Sequence, residues 1–117
     1  MIIEEPKAPV ENAEEPKITL DTTGKSDYWV GDEAEELRIK AESQDGGTLS
    51  YQWYSNINAN YDPGTAIEGA PEPAYTPSTE KAGQIFHWCV ITNTNEKATV
   101  NKTARAVSTM VNVHTMA

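Results

Sequence analysis

Two alternating segments constrain this chain most, because they carry its central tryptophan and its single cysteine. The first segment is Leu49-Ser50-Tyr51-Gln52-Trp53-Tyr54, and the second is Ile85-Phe86-His87-Trp88-Cys89-Val90-Ile91. Successive side chains of a strand point to opposite faces, so a strand in each segment can direct Trp53 and Cys89 to the same side. A bulky indole packs well against a small thiol. The sequence therefore predicts two strands that share one interior.

The length and the cysteine count limit how such an interior is held together. A chain of 117 residues is of the size of one domain. One cysteine cannot form an internal disulfide, so we expect the core to depend on packing alone.

The apolar runs are all short, so we expect no insertion into a membrane. The first residues lack the pattern of a secretion signal, which would then lie in a longer parent protein.

The charge of the chain is strongly negative and unevenly distributed. The formal net charge is −9, and residues 1–36 hold 11 acidic side chains against three lysines. No basic stripe is present that could displace counterions from a phosphate backbone or from anionic lipid. We therefore expect no nucleic-acid partner.

Residues 1–16 have the composition of a linker. Glu4-Glu5-Pro6-Lys7 recurs as Glu14-Glu15-Pro16-Lys17. Proline restricts the backbone and like charges repel, so we predict a flexible acidic linker over 1–16 and a folded domain over 17–117. Removing residues 1–16 is then expected to leave the melting temperature almost unchanged. A docking tail is the alternative reading of this segment.

Turn residues divide the remainder into short strand candidates. No segment has a sustained apolar repeat of 3.6 residues, whereas two-residue alternation is frequent. A slip in the alternation of the last strand predicts a bulge between Ala104 and Thr109. Besides the two segments above, the strand candidates lie at 18–20, 28–30, 37–42, 65–67, 74–76 and 98–113.

The chain resembles the immunoglobulin-like domains of bacterial surface proteins. The resemblance covers about residues 17–114; its most specific part runs from Gly83 to Asn93, and the segments 49–54, 66–70 and 75–77 add to it. It implies an all-β fold, an immunoglobulin-like β-sandwich of about seven strands in two antiparallel sheets without a disulfide. The family's first cysteine is replaced by Ile39, or by Ala41. The predicted structural core is Trp53, Cys89, Ile39 and Leu37.

His87 departs from the family pattern. A tyrosine that bonds the backbone often stands two residues before the cysteine in the family, and this chain has His87 there. Either the imidazole substitutes for the tyrosine, or the register slips by one residue through Phe86 or Trp88. We favour substitution, because a slip would turn Cys89 and Ile91 away from the core.

Groups that could carry chemistry are few. His87 and Cys89 share a strand face, yet a pair in the middle of a sandwich has no cleft for a substrate. Two histidines and one cysteine lack the ligand spacing of a zinc site. Asn58, Asn60 and Asp62 offer oxygens at alternate positions and form either a calcium loop or an ordinary turn. We expect no catalytic residues, no metal and no cofactor.

The predicted binding residues follow from strand geometry. If Trp53 and Cys89 point inward, the outward side chains of the two strands form an aromatic face. Aromatic rings on a sheet can stack on sugars or anchor a protein partner. Alternatively, the loop that carries Tyr61 or a neighbouring domain covers this face. The residues of the predicted face are Gln52, Tyr54, Phe86, Trp88 and Val90.

The expected function is that of a module in a larger protein. We expect a non-enzymatic domain of a bacterial cell-surface or secreted protein that acts as a spacer, an adhesive domain or a protein-interaction domain. Its partners would be neighbouring domains and a protein or glycan ligand. The alternative is an accessory carbohydrate-binding module of a surface glycan-processing protein.

Overall fold

The computed structural model describes residues 11–20, 27–61, 64–67 and 71–117. Within these ranges the chain forms ten strands and no helix, so the fold is all-β as predicted. The strands in chain order are β1 Lys17–Leu20, β2 Asp27–Trp29, β3 Leu37–Arg38, β4 Lys40–Glu42, β5 Thr48–Asn56, β6 Thr65–Ala66, β7 Ala74–Tyr75, β8 Gly83–Thr94, β9 Thr103–Val107 and β10 Val111–Met116.

The ten strands form three sheets. The largest has the order β2-β10-β8-β5-β6, with β9 paired to the second half of β8. The two small sheets are β1 with β4 and β3 with β7. All pairs are antiparallel except β2 with β10, which is parallel. The segment around Tyr28 therefore belongs to the large sheet and not to the sheet of β1.

The described residues form ten strands where about seven were predicted, and three sheets where two were predicted. Part of this difference arises because regular pairing breaks at Ile39. This residue separates β3 from β4, and its amide donates a hydrogen bond to the carbonyl of Pro73 at 2.9 Å. The two small sheets thus lie next to each other along the segment from Leu37 to Glu42. One predicted strand becomes two short ones.

The last strand is divided by a bulge. Val107 lies opposite Val90 and Val111 lies opposite His87, so three residues of the last strand face two of β8. At the break, the Ser108 amide donates to the Cys89 carbonyl at 2.9 Å, and the Cys89 amide donates to Ser108 Oγ at 2.8 Å. This position overlaps the predicted bulge. The extra residue lets Arg105 and Val107 face outward while Val113 is buried.

The core lies between the small sheets and the large sheet. Its central cluster combines residues from both sides and has Ile18, Tyr75 and Val111 packed against it. All four residues predicted for the core belong to it, and Cys89 and Ile91 are fully buried, so the register has not slipped. The arrangement is sandwich-like. The cluster consists of Leu37, Ile39, Trp53, Cys89 and Ile91.

Residues 11–16 contact the folded body, unlike the flexible linker predicted for 1–16. The Ala13 amide donates to the Asn101 carbonyl at 2.7 Å, and the Asn101 amide donates to the Glu11 carbonyl at 3.1 Å. Asn12 forms a parallel bridge with Asn101. Ala13 and Pro16 are buried. The composition of this segment predicted a spacer. Composition carries no information about hydrogen-bond partners that are distant in the sequence. Residues 1–10 lie outside the described residues.

Candidate functional site

The outward side of β5 and β8 brings two of the predicted binding residues together. In the register of these strands Tyr54 lies opposite Trp88, and Gln52 lies opposite Val90. The Tyr54 and Trp88 rings are nearly parallel, with centroids 6.0 Å apart and an angle of 10° between their planes. The alternation of the sequence therefore assigned both rings to the correct side of the sheet.

A loop covers this face, so the open aromatic surface predicted from the sequence is wrong at its centre. The Tyr61 ring lies edge-on against Trp88 with centroids 5.2 Å apart, and its hydroxyl donates to the Ser108 carbonyl at 3.1 Å. Gly64 approaches the indole so closely that a side chain there would clash with it. Trp88 is consequently only 2% exposed. The covering loop was one of the two alternatives that the sequence allowed.

Gln52 and Phe86 do not join a common binding surface with these rings. Gln52 is half-buried, and its amide nitrogen donates to the carbonyls of Trp53 and Ile67 at 2.9 and 2.8 Å. It thereby holds the segment after β6 against β5. Phe86 is half-buried and lies opposite Asn56 and Asn112 in the sheet. Both residues have structural surroundings that strand alternation could not reveal.

An open groove remains beside the covered rings. It has a volume of about 630 Å³, and Tyr61 and Val107 at its rim are each 48% exposed. Arg105 supplies its cationic group. Sequence reasoning missed Arg105, although pairing of β9 with β8 would have put it on the face of Val90. The groove is lined by Tyr54, Tyr61, Gly64, Trp88, Val90, Arg105 and Val107.

His87 and Cys89 lie in the interior on the other side of the same strand. His87 is 3% exposed and its ring is 5.6 Å from that of Tyr75. Burial lowers the pKa of His87 to about 4, outweighing a hydrogen bond with the backbone of Ile85, and burial raises the pKa of Cys89 to about 12. The pair is therefore a neutral imidazole and a neutral thiol. A cysteine nucleophile requires the thiolate.

The residues proposed for a calcium loop are only partly described. Asn58 and Asn60 are exposed, and Asp62 lies outside the described residues. The turn is organised by Asn56, whose oxygen accepts the Asn58 amide at 3.2 Å and whose nitrogen donates to the Asn60 carbonyl at 2.9 Å. This is the geometry of an ordinary Asx-rich turn. Among the described residues, no group of three or more histidine, cysteine, aspartate and glutamate side chains is placed to hold a metal.

Asp45 joins the segment 11–16 to the body of the domain. Its carboxylate accepts the Glu14 amide at 2.9 Å and the side-chain nitrogens of Asn93 and Asn95 at 2.9 and 3.0 Å. The hydrogen bond from the Glu14 amide, followed by that from Asn93, holds the pKa of Asp45 well below its usual range. Asn93 also donates to the Glu14 carbonyl at 2.9 Å. This cluster fixes the position at which the chain enters the domain.

The part that the structure describes contains no helix with the length and apolarity needed to cross a membrane. No family model, no curated protein and no solved structure matches this chain.

Proposed function

We propose that the chain is a non-catalytic, immunoglobulin-like module of a bacterial cell-surface or secreted protein, acting as a spacer, an adhesive domain or a protein-interaction domain. The family proposal is supported by the strand arrangement: β3 and β4 together connect β1 to β7, and this layer packs against the large sheet through Leu37 and Ile39. The proposed cell-surface or extracellular location rests on the sequence resemblance.

The positions of the two ends of the domain carry the spacer proposal. Glu11 lies beside Asn101, just before β9, whereas Ala117 follows directly after β10. β9 and then β10 run antiparallel to β8, and together they follow it from one end to the other. At ~3.3 Å per strand residue, the two ends lie roughly 45 Å apart after allowance for the bulge. A domain entered at one end and left at the other extends a chain of domains.

The fixed entry segment supports the same proposal. A spacer transmits orientation only if the chain is held where it meets the domain. Residues 11–16 are held by the bridge to Asn101 and by the Asp45 cluster, so the direction of the chain is set at this point. The buried neutral His87 and Cys89 support a structural role for the interior.

The distance between the two ends tests the spacer function. Spin labels on Glu11→Cys and Ala117→Cys would report this distance by double electron–electron resonance, because Cys89 is fully buried and does not react. We expect one narrow distribution centred at roughly 45 Å. Adding Asp45→Ala should broaden it. A broad distribution in the unmodified background would contradict the proposal.

The alternative function is an accessory carbohydrate-binding module, favoured by the exposed ring of Tyr61 next to Arg105 in the groove. Titration with soluble surface glycans, followed through the tryptophan fluorescence to which Trp88 in the groove contributes, tests it. A sugar that stacks on Tyr61 should change the emission, and Tyr61→Ala should abolish the change. An unchanged emission across the glycan panel would favour the spacer and protein-interaction function.

A further inference from the structure

The outer edge of β9, the edge away from β8, has a defined set of backbone groups. Asn95 donates to the Lys102 carbonyl at 2.7 Å, and Ser108 donates to the Cys89 carbonyl at 2.9 Å. Hydrogen-bonded positions alternate along an antiparallel ladder, so Ala104 and Ala106 also direct their backbone groups toward β8. The amides and carbonyls of Thr103, Arg105 and Val107 therefore point to the outer edge.

The chain itself uses this edge on both sides of β9. Before β9, Asn101 exchanges hydrogen bonds with Glu11 and Ala13. After it, β2 pairs in parallel with His114 to Met116. Residues 11–13 then leave the edge, because the Glu14 amide turns to Asp45. Among the described residues, none pairs with the outer edge between Thr103 and Val107.

The side chains next to this edge belong to the groove. Arg105 and Val107 have outward side chains that line it together with Tyr61. A strand placed against β9 would lie beside this groove, with alternate side chains directed toward it. The edge supplies hydrogen bonds, and the groove supplies apolar contact and one cation. This combination is the one used when an extended peptide adds to a sheet.

The charge of the region indicates the chemistry of the partner. Residues 97–113 contain no acidic side chain but include Lys97, Lys102 and Arg105, in a chain with a net charge of −9. Lys102 Nζ lies 3.6 Å from Glu96 Oε2, whereas Arg105 takes part in none of the ion pairs within the described residues. The chain's own segment on this edge is acidic, since Glu11 and Glu14 flank Ala13.

We propose that the outer edge of β9 binds a short, extended, acidic segment of a partner protein by strand addition, with an apolar side chain of that segment in the groove. This inference rests on the proposed protein-interaction function and identifies the partner's chemistry. The segment pairs with Thr103, Arg105 and Val107, and its carboxylates face Arg105.

A designed peptide of alternating residues provides the probe. Fluorescein-labelled Thr-Glu-Thr-Val-Thr-Glu-Thr has its valine and both glutamates on one face of the strand, as contact with the groove and Arg105 requires. With both ends blocked, it is titrated with the full chain at low salt and followed by fluorescence anisotropy. We expect saturable binding that weakens as salt is added. The matched Thr-Lys-Thr-Val-Thr-Lys-Thr peptide should not bind. Equal binding of both peptides, or of neither, would overturn the proposal.

A charge-matched pair of variants locates the site. Arg105→Glu should weaken binding of the acidic peptide by about tenfold or more. Lys40→Glu makes the same change of net charge at an exposed position of β4, and it should leave binding within about twofold. Similar losses in both variants would mean that only the overall charge matters, and would overturn the proposed site.

Backbone pairing requires its own readout. Binding should slow hydrogen exchange of the Arg105 and Val107 amides and leave those of Ala104 and Ala106 unchanged, because the latter already bond to β8. N-methylation of alternate residues in the acidic peptide should abolish binding. Retained binding, or protection absent from Arg105 and Val107, would overturn strand addition.

Sedimentation of the chain alone tests the alternative that a second copy of the chain binds to this edge. The proposal predicts a monomer at the concentrations used for binding, whereas dimerisation that Arg105→Glu abolishes would assign the edge to a second copy and overturn it. The measurement of the distance between the two ends uses no ligand. It can therefore succeed while the peptide fails to bind, which distinguishes failure of this inference from failure of the spacer function.

Discussion

Trp53 joins several separate parts of the core. Its side chain is fully buried and lies opposite Cys89 in the sheet. Its indole nitrogen donates to the Glu72 carbonyl at 2.8 Å, and its ring is 6.1 Å from that of Tyr75. Packing and one buried hydrogen bond thus meet in a single side chain. No disulfide shares this task, since Cys89 is a free thiol.

Replacing Trp53 should therefore be costly. Trp53→Ala is expected to lower the free energy of unfolding by roughly 3–5 kcal/mol, because it leaves a cavity and an unpaired carbonyl. Trp29→Ala is the matched control, since Trp29 is 59% exposed, and it should change this free energy by less than about 0.5 kcal/mol. Chemical denaturation measures both. Equal effects of the two substitutions would contradict the assignment of the core.

His87 should make stability depend on pH. Its pKa falls from an ordinary value of 6.5 to about 4 in the folded protein, so the unfolded chain binds a proton more readily between these values. Stability is then complete above pH 6.5 and declines as the pH falls toward 4, by a total on the order of 3 kcal/mol. Unfolding measured across this range in wild type and in His87→Phe tests this. The variant should lose most of the slope, and an unchanged slope would contradict the role of His87.

The residue scale also shows what alternation in the sequence can predict. Trp53, Cys89, Leu37 and Ile39 were assigned inward from a two-residue period, and all four are buried. The period depends only on strand geometry, which local sequence encodes. His87 occupies the expected inward position, but its surroundings are set by Tyr75 on another strand. Such contacts between distant segments cannot be derived from the spacing of residues.

At the scale of elements, the loop between β5 and β6 determines what the outward face can bind. Alternation correctly turned Tyr54 and Trp88 outward, but it could not decide whether Tyr61 would cover them. The cover depends on the fit of Gly64 against the indole and on the Tyr61 hydroxyl bonding to Ser108. The sequence therefore predicted which side of the sheet these rings are on, but it could not predict which of them would be exposed to solvent. The remaining opening lies beside Arg105 and Val107.

A side chain at position 64 should lift this loop. A Cβ added to Gly64 would lie 2.8 Å from Cη2 of Trp88, so Gly64→Val forces the indole and the loop apart. We expect greater quenching of tryptophan fluorescence by acrylamide, because Trp88 becomes accessible to solvent. Thr65→Val changes an exposed neighbour in β6 and should leave quenching as in wild type. Identical quenching in both variants would mean that the loop does not depend on this close approach.

At the scale of the whole molecule, the segment before β1 is the part that the sequence predicted least well. Proline and repeated acidic residues are typical of a flexible spacer, and this composition led to a boundary after residue 16. In the structure, residues 11–16 bond to Asn101, Asp45 and Asn93, which lie in three separate parts of the chain. The partners of a segment decide whether it is ordered, and composition does not contain them.

Residues 11–16 must be part of the folded domain if the module is to space its neighbours, because their attachment fixes where the chain enters. Asp45→Ala removes the acceptor shared by the Glu14 amide and the Asn93 and Asn95 side chains. It should weaken the attachment without touching the core around Trp53.

The most direct test compares the thermal unfolding of two truncated chains. Removing residues 1–10 should change the melting temperature by less than about 2 °C, whereas removing residues 1–16 should lower it by roughly 5 °C or more, since the bonds to Asn101 and Asp45 are lost and Ala13 no longer packs. Asp45→Ala in the full chain should give part of the same loss. Equal melting temperatures for the two truncated chains would contradict the account.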